Sequence, residues 1–270
     1  MCSGKLQRLW NQMVTIGKAF KMTKSTPKLK GRIDRIQDAV NSLIKVHADM
    51  RDSILASDQR DPRMDAVYFL MGRLLTHSNV LLKLIQEGFW TEATIIIRSM
   101  YETQWLLEYF DMAEHESEIH LRKWLKGEII KPSKVRKKVS FDDNTLLYFH
   151  GTVYQELSQF IHPTYYSSTL NMNSKTLEYT YSGVPGQDKV GQFVTNYAAQ
   201  VIMESMLEFL SEVYYDRFTL DRKTLMNLKI SFEQLIKEFT TDLPRHVRER
   251  FLGFTDILEQ IKAKNEKFPR

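Results

Sequence analysis

Cysteine is nearly missing from this chain: Cys2 is the only one in 270 residues. That excludes an internal disulfide or a cysteine-based metal cluster within one chain, and a reducing, cytoplasmic setting is expected. Glycine (11) and proline (7) are also scarce, whereas Leu, Ile, Met, Lys, Glu and Gln are plentiful, which argues for helices over a turn-rich sheet protein. Long hydrophobic runs are lacking. The apolar stretches Val67–Met71 and Thr94–Ile97 are far too short to span a bilayer, and no signal-peptide core precedes a small-residue cleavage site. Walker, Rossmann, nucleophile-elbow, His-Glu-x-x-His and Asp-x-Asp patterns are absent, and His115 and His120 stand five apart rather than four. No metal or cofactor is therefore expected.

What is present suffices for a substantial core, since 43% of residues are apolar. The net charge of +5 is unevenly spread: residues 5–35 carry nine Lys or Arg against Asp34 alone, a local +8, so the remainder is slightly acidic. A second basic cluster comprises Arg122, Lys123, Lys126, Lys131, Lys134, Arg136, Lys137 and Lys138, opposed only by Glu128. Such patches attract phosphate backbones or anionic surfaces, or simply keep a solvated face soluble.

Apolar residues recur at three- and four-residue steps along most of the chain. Leu6, Leu9, Trp10, Met13, Ile16 and Phe20 predict a basic amphipathic helix over 4–22. A helix over 29–55 follows, with Ile33, Ile36, Val40, Leu43, Ile44 and His47 as its inner stripe, then a turn at 58–62. Helices over 64–86 and 91–112 form a hairpin across Glu87-Gly88-Phe89-Trp90, with Gly88 as the stop. The second is apolar nearly all round in its first half and should be the central element. A helix over 116–130 precedes a basic, irregular excursion over 131–144, and a further helix over 145–161 is closed by Pro163. Residues 169–182 alternate as a small β-hairpin or an ordered loop would, and helices resume over 190–217, 220–240 and 244–264. The fold class expected is all-α: basic N-terminal helices over 1–60 packing on a bundle over 61–218, with C-terminal helices over 219–270 in the same domain.

Two polar signatures interrupt this apolar text. In Arg98-Ser99-Met100-Tyr101-Glu102, Arg98 and Glu102 are one helical turn apart and share a face with Trp105 and Tyr109. A guanidinium and a carboxylate placed toward the core need further partners or a function. One reading is a structural brace. In the other, Arg98 holds a phosphate and Glu102 orients a base or hydroxyl. In Leu157-Ser158-Gln159-Phe160-Ile161-His162-Pro163, Ser158 and His162 share a face at a helix end, where the dipole favours protonated imidazole. His162 then either caps loop carbonyls or shuttles a proton in phosphodiester cleavage, a nearby arginine stabilising the charge that develops. Tyr101 and Tyr154 are candidates for base stacking or for packing, and Lys134, Arg136, Lys137 and Lys138 for guiding RNA.

These signatures, with Leu74-Leu75 through Gly88 and Ala93-Thr94-Ile95-Ile96-Ile97 before the first and Tyr154-Gln155-Glu156 before the second, resemble a bacterial family of unknown function marked by Arg-Ser-x-x-Glu and Leu-Ser-x-x-x-His. The likeness covers residues 64–215. That family is distantly similar to the HEPN superfamily, helical bundles that include ribonuclease toxins, antiphage effectors and inactive binding modules. The resemblance implies one interhelical site made by Arg98, Glu102 and His162, with Ser158 beside it. It also implies metal-independent ribonuclease activity in defence or toxin–antitoxin function, homo-oligomers, and RNA or an antitoxin as partner. Active HEPN nucleases separate an arginine from the histidine by four to six residues; here those positions hold Gln155, Glu156 and Leu157. The alternative expectation is a noncatalytic helical interaction module, whose basic N-terminal helix docks a protein partner or an anionic membrane surface.

Overall fold

The computed structural model describes residues 27–57, 61–112, 114–140, 210–241 and parts of 147–158 and 202–207. Among the described residues the chain is all-helical, with six α-helices and no strand. The helix read over 4–22, the hairpin near 169–182, the helix over 244–264 and His162 lie outside the described residues. No described helix is long and apolar enough to cross a membrane.

Helix α1 (Pro27–Ala56) buries Ile33, Ile36, Val40, Leu43, Val46 and Met50, one narrow stripe at three- and four-residue steps. Ile44, expected inside, is 41% exposed; it lies one residue past Leu43, about 100° around the helix, and Val46 fills the stripe instead. His47 lies against Tyr68 with ring centroids 4.3 Å apart and planes 4° from parallel. Its Nε2 is 2.9 Å from the Tyr68 carbonyl, an acceptor, so Nε2 carries a proton and donates. Gly72 makes room for this ring, since a Cβ there would sit 3.2 Å from His47 Cε1.

Helix α2 (Pro62–Glu87) begins with Asp61 accepting from the Arg63 amide and Pro62 in the first turn. It ends at Gly88, φ 78°, where the Gly88 amide donates to Ile85 and the Phe89 amide to Leu84. This left-handed stop satisfies two terminal carbonyls and reverses the chain directly into α3 (Trp90–Asp111). The hairpin is thus as the sequence reads, and α3 is its central member, packed by α2, α4 and α5. Gln37 of α1 donates to Asn79 of α2 at 2.8 Å and sets the register between them.

Helix α4 (His115–Leu125) stops short of the expected residue 130. Gly127, φ 87°, ends it as Gly88 ends α2: its amide donates to Trp124 and that of Glu128 to Lys123. The excursion read over 131–144 contains helix α5 (Pro132–Val139). Pro132 supplies its first turn, and Val135 and Val139, four apart, are both buried against the core. Two valines in eight residues are too faint a period to show in sequence; tertiary burial makes the helix. Residues 147, 148, 150, 151, 154, 155, 157 and 158 are helical, as expected there. Farther on, Leu210–Tyr214 forms a π turn, and α6 (Arg222–Thr241) follows, its first turn capped by Asp221. Helix α6 packs on α1, and buried residues from Ile33 to Leu235 make one core.

Candidate functional site

The first signature meets Tyr154, which stands three residues before the second. Arg98 and Glu102 project from one face of α3, Arg98 Nε donating to Glu102 Oε1 at 3.2 Å; the side chains are 15% and 29% exposed. Arg98 also donates through Nη2 to the Tyr154 hydroxyl, and its Cζ stands 4.2 Å from the Tyr154 ring centre. From α5, Arg136 comes 3.8 Å from the same ring centre and 5.6 Å from that of Trp105. Two guanidiniums thus bear on one tyrosine, with one carboxylate beside them. Aromatic faces attract cations most where water is displaced, which offsets part of the cost of bringing like charges together.

Burial lowers the Arg136 pKa; Tyr154 and Glu102 work against that shift and Arg98 adds to it. Its Nη1 is buried with no hydrogen-bond partner among the described residues. An unpaired guanidinium nitrogen in a half-buried site is costly.

His150 completes the cluster. Its ring lies 5.3 Å from that of Trp105, and its Nδ1 is 3.2 Å from Ser140 Oγ. Ser140 spends its own proton on the Arg136 carbonyl at 2.7 Å, so Nδ1 is the donor and Nε2 the acceptor nitrogen of His150. Burial, reinforced by Arg136, pushes its pKa down to about 4, so the ring is neutral at physiological pH. No sequence motif singled His150 out. A signal existed in the four-residue recurrence His150, Tyr154, Ser158, which places all three along one helix face.

The other candidates fall elsewhere. Tyr101 is buried in the core beside Trp105, at 6.2 Å between ring centres, because Ile97, Tyr101 and Trp105 form the inward stripe of α3. Ser158 donates to the Tyr154 carbonyl of its own helix. Lys134 and Lys138 leave α5 on a different side from Arg136 and pair with α4: Lys134 with Glu116 at 2.7 Å, Lys138 with Glu114 and Glu116 at 3.2 Å. Lys137 is exposed and forms no ion pair among the described residues. The same side holds a hydrogen-bonded chain of side chains that sequence reading did not foresee. His120 Nδ1 is 2.6 Å from the Tyr109 hydroxyl, and its Nε2 is 3.3 Å from Lys134 Nζ. An ammonium only donates, so Nε2 accepts and the ring proton sits on Nδ1, facing Tyr109. Burial and then Lys134 lower the His120 pKa, while burial and Glu116 push that of Tyr109 up to about 12.

Among the described residues no three His, Cys, Asp or Glu side chains gather as a metal site would require. No family model, no curated protein and no solved structure matches this chain.

Proposed function

We propose that the chain is a HEPN-like nucleic-acid-acting protein, a metal-independent ribonuclease of bacterial defence or toxin–antitoxin function, with its site where α3, α5 and the helical residues His150 and Tyr154 meet. One observation supports the reading: Arg98 of the first signature contacts Tyr154, three residues before the second, and Arg136 joins them on the same ring. In this reading Arg98 and Arg136 grip a backbone phosphate, Glu102 holds Arg98 in place, and His162 moves the proton. A base takes the proton of the RNA 2′-hydroxyl, the 2′-oxygen attacks phosphorus, and the departing 5′-oxygen is protonated as its bond to phosphorus breaks.

The test is cleavage of single-stranded RNA by the full chain in the presence of a chelator. Loss of about 10²-fold or more in rate for both Arg98→Ala and His162→Ala, each folded by circular dichroism, is the expected result. Undiminished cleavage in both variants, or none by the parent chain, contradicts it. A second reading, a noncatalytic helical module whose polar residues fix helix register, draws support from Arg98 being satisfied by Glu102 and Tyr154. It predicts that Arg98→Ala loses stability and that no RNA is cut.

A further inference from the structure

Beyond that site, the turn between α4 and α5 has the composition of a membrane-surface anchor. Gly127 ends α4 in the left-handed conformation, and the chain then has no regular secondary structure until Pro132. In that stretch Ile130 packs against the core while Ile129, its neighbour, points outward and is 91% exposed, more than any other large apolar side chain among the described residues. Leu125 and Ile119 of α4 are exposed as well. Around this tip stand Lys123, Lys126 and Lys131, all exposed and without an ion pair among the described residues, whereas Arg122 and Lys134 are matched by Glu118 and Glu116. Glu128 is the only acid within the turn.

We infer that this turn docks on an anionic lipid surface, the three lysines meeting headgroup charge and Ile129, with Leu125, entering the boundary between headgroups and acyl chains. The chemistry selects this occupant. A protein interface is depleted of charge at its centre and rich in aromatic residues, whereas here three lysines and a single acid, Glu128, surround aliphatic side chains. RNA would use the lysines but gains little from an isoleucine, since bases stack on aromatic or guanidinium planes. Aliphatic groups ringed by lysine suit the lipid interface.

Flotation of the full chain with phosphatidylcholine vesicles, with and without phosphatidylserine, tests this. Because residues 5–35 are also strongly basic, the readout is the change caused by turn substitutions that leave that segment intact. The parent chain is expected to float only with the anionic vesicles. Ile129→Asp should weaken binding roughly tenfold, and Lys126→Glu and Lys131→Glu by at least about fivefold each. Ile129→Leu should keep the parent affinity. Equal flotation with both vesicle types, or unchanged binding in Ile129→Asp and the lysine variants, overturns the inference. So does binding of a single-stranded RNA that falls with Ile129→Asp while vesicle binding does not.

Discussion

Lys134 and Lys138 on one side of α5, and Arg136 on another, share an eight-residue helix yet inhabit different physical worlds. The two lysines are solvated and answered by Glu114 and Glu116. Arg136 lies against Tyr154 and Trp105, half-buried, with Arg98 as its close like-charged neighbour. Water screens the first set, so each lysine is replaceable. The second set has aromatic faces and one carboxylate in place of water, and each member depends on the others. Similar charge and close sequence spacing therefore say little about role; the helical turn that each side chain occupies decides it.

The largest expected effect concerns the inner side. Because His150 has its folded pKa depressed to about 4 from 6.5, the unfolded chain binds more protons between those values. The stability it contributes is whole above pH 6.5 and is lost as pH falls through 4, amounting to roughly 3 kcal/mol. Urea titrations at pH 7 and pH 4 check this: the loss should shrink markedly in His150→Gln, and an equal loss in both chains would dissolve the contrast.

Next comes Arg98→Ala, which strands the Glu102 carboxylate and the Tyr154 hydroxyl. It should cost about 2 kcal/mol in a urea titration at neutral pH, less than a fully buried pair because both side chains keep some solvent. Arg98→Lys should recover only part of this, since an ammonium lacks the fork that reaches both partners. The smallest effect belongs to the outer side: Lys134→Ala and Lys138→Ala should leave the Tm close to that of the parent, with any difference vanishing at high salt. A large shift there would mean that the α4–α5 ion pairs carry the structure, reversing the comparison.

Much of this arrangement was legible in sequence because it is local. The α2–α3 hairpin follows from two long apolar periods and one glycine, and the Arg98–Glu102 pair from a four-residue spacing. What escaped depends on distant segments. Helix α5 shows only Val135 and Val139 as apolar signal, and the cores of α2 and α3 decide that they are buried. Arg136 was legible as a cation but not as the one that turns inward, and His150 became significant only once Trp105 and Ser140 surrounded it. The expected meeting of His162 with Arg98 and Glu102 lies outside the described residues.

A double-mutant cycle between Arg136→Met and Tyr154→Leu, followed by urea unfolding, tests most directly that α5 and Tyr154 form one coupled polar site on α3. A coupling energy of about 1 kcal/mol is predicted. Additive losses, with coupling below about 0.3 kcal/mol, would contradict it and leave Arg136 as an independent side chain.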